Sequence, residues 1–289
     1  MGKFIGKVAI VTGGGGKGIG RAVARLFAAE GASVVVADLP AREPGARSGA
    51  EAVVEEIREA GGTAVASHEV IGKWESGERL VQTAVDAFGR VDVVVTAAGN
   101  LAVSPLLEVT EDEWDSINDV HMKGQVSVLQ AVARRLVEQG EGGSMITFSS
   151  RAAFFAPAPA YAAAKAGVLG LTSAAAIELA KHRINVNAIF PSAQTSLFPG
   201  DAESRPVAGG TPFVPDIDPA AIAPVVAWLA SPEGAAVTGR WVYAAGNDIA
   251  FYDLPLVLSN RPTLLRGAER WSLDALDAVL PSLLGLAAK

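Results

Sequence analysis

Cysteine is absent from this chain of 289 residues. Its absence removes disulfides, thiolate metal sites and thiol nucleophiles together. Histidine occurs three times, and His68, His121 and His182 lack the spacing of metal ligands, so no structural metal is expected. Excess charge of one sign is small. The 24 basic residues stand against 31 acidic ones, and a net charge of −7 gives no footprint for nucleic acid or an anionic membrane surface. No apolar stretch reads as long as a membrane span, and no secretory h-region precedes the first apolar run. Met1-Gly2 could open a myristoylation signal, but Gly6 occupies the place where serine or threonine is wanted. The expected location is the cytoplasm.

Half of the chain is hydrophobic, enough for one large core, and a regular strand-helix alternation offers no linker at which to divide it. Strands are read near residues 7–12, 33–38, 63–67, 91–96, 144–149, 184–190 and 240–244, with helices between them. This is the pattern of an α/β, Rossmann-type fold: a single domain over residues 1–250 with a doubly wound, seven-stranded parallel sheet. Two helix starts are signed in the residues. Thr110-Glu111-Asp112-Glu113 reads as a capping box, and Asp218-Pro219 supplies an N-cap followed by proline at the first helical position. Residues 251–289 form a C-terminal extension. Its segment from Trp271 to Pro281 reads as a short amphipathic helix that covers a core edge or a subunit contact, with a substrate lid as the other reading.

Two motifs carry chemistry. The first is Lys7-Val8-Ala9-Ile10-Val11-Thr12, then the run from Gly13 to Gly20 that includes Gly18 and Ile19, then Arg21-Ala22-Val23-Ala24. It reads as strand, glycine turn and helix, in which glycine lets the backbone approach a pyrophosphate and the helix start complements its charge. Asp38 closes the next strand, where its carboxylate can accept from both adenosine ribose hydroxyls and repel a 2′-phosphate. That favours NAD, while Lys17, beside Gly18, is the feature that keeps NADP possible. The second motif is Tyr161-Ala162-Ala163-Ala164-Lys165. On an alanine-rich helix the two side chains share a face, so an ammonium stands near a phenol and favours its ionised form, bringing proton exchange toward neutral pH.

In order, these motifs resemble those of the short-chain dehydrogenase/reductase family, with the turn Thr96-Ala97-Ala98-Gly99, the serines of Ile146-Thr147-Phe148-Ser149-Ser150 and the turn Pro191-Ser192 between and after them. The resemblance covers about residues 5 to 250. The segment Trp114 to Gly124 places His121 where most members carry asparagine. This is similar to the subgroup that contains the (3R)-hydroxyacyl-CoA dehydrogenase part of peroxisomal multifunctional enzyme, as is Asn187-Ala188-Ile189-Phe190-Pro191-Ser192-Ala193.

The resemblance implies hydride transfer between a secondary alcohol or ketone and NAD, and a homo-oligomer, tetramer or dimer. Tyr161 would be the acid or base and Ser150 the donor to the substrate oxygen, with Ser149 as the rival. Lys165 would hold the nicotinamide ribose, and His121 would be a proton relay or a packing residue. The cofactor would lie along Gly13, Gly18, Ile19, Gly20, Asp38, Ala98, Gly99, Tyr161, Lys165 and Pro191, with Glu69 and Val70 flanking adenine. The glycine turn is one residue longer than the family pattern and the Ser150–Tyr161 segment about two shorter. The neighbouring Leu101-Ala102-Val103, Phe154-Phe155-Ala156-Pro157, Leu197-Phe198 and Phe213 are mostly apolar, which suits a steroid, terpenoid or acyl substrate. A non-catalytic NAD(P) sensor or a scaffold of the same fold is the alternative.

Overall fold

The computed structural model describes residues 2–198, 200, 214 and 217–252. The expected helix at 271–281, Phe213 and nearly all of the 251–289 extension lie outside the described residues.

Eight strands form one sheet: β1 (Val8–Thr12), β2 (Ser33–Ala37), β3 (Thr63–Ser67), β4 (Val93–Thr96), β5 (Gly143–Phe148), β6 (Ile184–Pro191), β7 (Trp241–Ala245) and β8 (Asp248–Tyr252). Their order is β3-β2-β1-β4-β5-β6-β7-β8. The first seven are mutually parallel and β8 returns antiparallel on β7. The seven strands expected from the sequence are therefore eight. Gly246, at φ +51, leads a two-residue turn with Asn247 that folds the chain back on β7, a short hairpin signal.

The helices are α1 (Ile19–Ala29), α2 (Gly49–Glu59), α3 (Ser76–Phe88), α4 (Glu111–Asn118), α5 (Gln125–Gln139), the short α6 (Ala152–Phe155), α7 (Pro159–Leu179) and α8 (Ala223–Ala230). Side chains alternate across the central strands, as a period of two requires. Ala9, Val11, Val34 and Val36 pack with Phe27, Val53 and Val226 on one face, whereas Val8, Ile10, Val35 and Ala37 pack with Leu80, Val132 and Leu179 on the other. Burial on both faces explains the nearly unbroken valine runs.

The amino ends of the helices differ. Ser48 and Glu51 close a full capping box on α2. Thr110 caps α4 through Glu113 N–H, but Glu113 Oε1 instead accepts from Ser104 Oγ at 2.7 Å. The expected box is thus half formed, because a tertiary partner takes its return arm. Asp218 accepts from Ala220 N–H at the start of a 3₁₀ turn. Between α4 and α5, residues Asp119–Gly124 form a π-helical turn that contains His121.

Contrary to the sequence reading, Pro159–His182 is long and apolar enough to cross a membrane by length and composition. Much of it is core: Ala160, Tyr161, Ala164, Lys165, Val168, Leu169 and Thr172 are buried.

Candidate active site

The carboxyl ends of β1 to β6 open into one cavity of about 790 Å³, within the size range of small-molecule sites. Its lining includes Gly13, Gly18, Ile19, Gly20, Asp38, Glu69, Val70, Ala98, Gly99, His121, Ser150, Tyr161, Lys165 and Pro191, so of the residues singled out from the sequence for cofactor or catalysis all but Lys17 face this space.

At the β1 end, the glycines divide by function. Gly13 has φ +68, and a Cβ at Gly20 would stand 2.3 Å from the Gly13 carbonyl oxygen. These two glycines let α1 start against the end of β1. At Gly18 a Cβ would meet nothing closer than Thr195, at 3.7 Å, so its lack of side chain leaves the cavity open rather than relieving a clash. Gly18 gives α1 no side-chain cap, and the first turn holds no acidic residue. Its leading N–H groups and dipole suit an anion. Asp38 accepts from Gly15 N–H at 2.7 Å and from Leu39 N–H at 2.8 Å. A carboxylate has further lone pairs for ribose hydroxyls. Lys17 is exposed and, unlike its neighbours Gly16 and Gly18, is not part of the lining. Glu69 accepts from Arg79 at 2.7 Å.

At the β5 end, the two serines separate. Ser149 Oγ donates to the Lys165 carbonyl oxygen at 2.7 Å, tying β5 to α7, whereas Ser150 lines the cavity near enough to Tyr161 to favour its ionised form. Lys165 is buried, donates to the Phe148 carbonyl oxygen at 2.9 Å and lies 5.5 Å from the Tyr161 ring centroid. Burial pulls its ammonium down to about 7. The unfolded chain therefore holds a proton that the folded one gives up between about pH 7 and the ordinary lysine range, so the stability cost of burying Lys165 eases as pH rises. Burial pushes the Tyr161 phenol up to about 12, against a smaller downward pull from Ser150. This corrects the expectation of a phenol brought toward neutrality by its lysine: the dry site that holds both groups disfavours both charges.

His121 is fully buried and edge-on to Tyr161, with ring centroids 5.3 Å apart. Its Nε2 lies 2.8 Å from the Asn100 carbonyl oxygen and 3.3 Å from Asn100 N. The shorter contact assigns the proton to Nε2. Nδ1 is then an acceptor, and it has no partner within the protein. A Cβ at Gly99 would come within 2.7 Å of His121 Cε1, so that glycine makes room for the ring. Burial, then the nearby Lys165 charge, lowers the imidazole to about 3, opposed by the Asn100 bond. The ring is neutral at physiological pH, which disfavours a relay in which the imidazole itself takes up the proton.

Several cavity residues lie outside the sequence reading: Ile71, Asn100, Arg151 and Thr195. Asn100 and Arg151 directly follow Gly99 and Ser150, and adjacency to those motifs is the signal that could have found them. Of the apolar segments expected to border a substrate, Phe155, Ala156, Leu197 and Phe198 line the cavity, whereas Leu101 and Ala102 pack beneath Tyr161 and Val103 is exposed. Asn187 does not reach the site. It ties β6 to the approach of β7 through Val237 O and Arg240 N.

Comparisons with known proteins agree with this arrangement. A family model described as enoyl-(acyl carrier protein) reductase matches residues 14–246. The peroxisomal multifunctional enzyme type 2 of Mus musculus is 39% identical over 236 residues, a match that takes in 78% of this chain and 30% of that protein. The chain thus spans about a third of the length of that relative. Among solved structures, a short chain dehydrogenase from Mycobacterium avium superposes with a TM-score of 0.85 at 34% identity, covering 100% of this chain and 98% of the other. A short chain dehydrogenase from Mycobacterium paratuberculosis bound to NAD gives a TM-score of 0.75 at 32% identity, covering 85% and 98%. The chain belongs to the short-chain dehydrogenase/reductase family.

Proposed function

We propose that the protein moves a hydride between NAD and a secondary alcohol or ketone carried on a largely apolar substrate of hydroxyacyl-CoA, steroid or terpenoid type. The observation that carries this reading is the gathering of Ser150, Tyr161 and Lys165 at one end of a single cavity whose other end holds Asp38 and the uncapped start of α1. The bound nicotinamide would supply the hydride or accept it at C4. Asp38 would hold the adenosine ribose and reject a 2′-phosphate, Gly18 and Ile19 would meet the pyrophosphate, and Glu69 and Val70 would flank adenine. Ala98, Gly99 and Pro191 would border the nicotinamide half.

Ser150 donates to the substrate oxygen as charge develops there, and Tyr161 gives or takes the proton. Tyr161 is the acid in ketone reduction and the base in alcohol oxidation. Lys165 holds the nicotinamide ribose. His121, neutral and with Nδ1 as an acceptor, orients a proton donor on the path between Lys165 and solvent and takes no charge itself. A homo-oligomer in the cytoplasm completes this reading, and the exposed Ile177 of α7 and Trp228 of α8 support the assembly.

The test is a panel of secondary alcohols and ketones followed by NADH absorbance, with cofactor binding measured separately. Turnover of any member supports the reading. Tight NAD binding without turnover across the panel would instead identify a non-catalytic sensor.

A further inference from the structure

We propose that Ser149 is a positioning residue for the reaction: by pinning the backbone of Lys165 to the end of β5, it sets where Tyr161 and Lys165 stand relative to Ser150. This rests on the hydride-transfer reading above and gives a part in it to the serine whose hydroxyl is turned toward α7.

Lys165 is gripped at both of its ends by consecutive residues at the β5 terminus. Its ammonium donates to the Phe148 carbonyl oxygen at 2.9 Å, and its own carbonyl oxygen accepts from Ser149 Oγ at 2.7 Å. A helix carbonyl has a second lone pair for such a bond beside the one that the helix uses. Ser149 is itself anchored, because its N–H donates to the Ile189 carbonyl oxygen of β6 at 2.9 Å. Both residues are buried, which strengthens the bond between them.

The grip matters because α7 is smooth where it passes the site. From Tyr161 to Gly167, its residues other than Tyr161 and Lys165 are alanine and glycine, and such side chains interlock too little to fix a helix along its axis. Hydroxyl pins take over that task. A second pin lies lower on the same two elements, where Thr172 Oγ1 meets Thr147 Oγ1 at 2.7 Å. Thr147 and Ser149 share a side of the strand by its period of two, and Lys165 and Thr172 share a face of the helix across two turns.

The two pins differ in what they hold. Neither Thr147 nor Thr172 belongs to the cavity lining, whereas Ser149 adjoins Ser150 and its partner stands one helical turn from Tyr161. Misplacing reacting groups by about 1 Å can cost about 10²-fold in rate. Loss of the Ser149 bond should therefore fall on the chemistry, and loss of the threonine bond on stability alone.

The experiment compares Ser149→Ala with Thr172→Val in the full-length protein, each of which deletes one buried hydroxyl bond. With NAD and the panel substrate that wild type turns over fastest, Ser149→Ala is expected to lower kcat about tenfold or more, with KM of the substrate within about threefold. Thr172→Val should keep kcat within about twofold, and Tm should fall by similar amounts in both variants. Ser149→Cys, of similar bulk and with a weaker donor, should give an intermediate kcat, and it carries the test if the alanine variant melts below the assay temperature. Equal loss of kcat in the serine and threonine variants, or a Ser149→Ala enzyme as fast as wild type, overturns the proposal.

The ionisation of Lys165 gives a readout independent of turnover, followed by carbon NMR of protein labelled at lysine Cε and assigned with Lys165→Met. The titratable groups beside it are Tyr161 of α7 and His121 of the π-helical turn. A released helix lets water reach the ammonium, so its midpoint should rise from about 7 toward the ordinary lysine range in Ser149→Ala and stay in place in Thr172→Val. That shift without turnover of any panel member would sustain the positioning role and refute the hydride-transfer reading. Turnover by wild type, with kcat and midpoint both unmoved in Ser149→Ala, would do the reverse.

Discussion

The two ends of the cavity are built on opposite physical principles. At the nucleotide end, around β1 to β3, recognition comes from backbone: glycines that permit close approach, an uncapped helix start, and a carboxylate held by two N–H groups. At the chemical end, around β5 and α7, three titratable side chains are buried together and all three shift toward their neutral forms. Binding a charged, polar nucleotide requires wet, satisfied donors and acceptors, whereas moving a proton requires groups whose charge states are held poised by a dry surrounding.

The largest expected effect falls at the dry end. Tyr161→Phe should lower kcat by 10²–10⁴-fold while NAD affinity stays within a few-fold of wild type, as steady-state rates and a cofactor titration will show. A matching loss of NAD affinity would erase the distinction between the ends.

Next is the backbone of the nucleotide end. Gly20→Ala forces a Cβ against the Gly13 carbonyl oxygen and should cost about 1–3 kcal/mol, read as a lower Tm, while Gly18→Ala should leave fold stability nearly unchanged. Equal melting of the two variants would show that these glycines do not divide as described.

At the same end, Asp38→Ala should shift the ratio of kcat/KM for NADP over NAD upward by about tenfold, the scale of one lost charge repulsion. An unchanged ratio would mean that another group selects the cofactor.

The smallest effect is expected at His121. Its ring, lowered to about 3, is already neutral across pH 5–8, so His121→Asn should keep activity within a few-fold and leave the shape of the pH–rate profile intact. Loss of a limb near pH 6–7 in that variant would show that the histidine titrates during turnover.

Much of this architecture is legible in the sequence because it is local. The valine runs, the glycine turn, Asp38 and the four-residue step from Tyr161 to Lys165 each carry their geometry in short spacing. The illegible part depends on partners distant along the chain. Nothing in Thr110-Glu111-Asp112-Glu113 announces that Ser104 takes the Glu113 carboxylate. Asn100 holds His121 across 21 positions, and Arg151 reaches a ring on β7. The phenol's charge state escapes the sequence for the same reason: helical spacing shows that Lys165 is near Tyr161, but only the packed structure shows that both are dry. The choice between Ser149 and Ser150 also needs three dimensions, since adjacent strand residues diverge and only contact reveals which one meets α7.

The π-helical turn at Asp119–Gly124 has a consequence for how this chain tolerates change in length. A π turn holds one residue more than an α-helical turn, and each added residue rotates the remainder of the helix by about 100°. Before it, Ile117 packs with Tyr161 and Ala164; after it, Val128, Leu129 and Val132 pack against the sheet. The extra residue therefore acts as a phase shifter, letting one continuous rod serve two cores that a regular helix would present at the wrong angle. Deleting a single residue between Asn118 and Gln125 would bring the two halves into ordinary helical register, and in doing so would swing one of them out of its core.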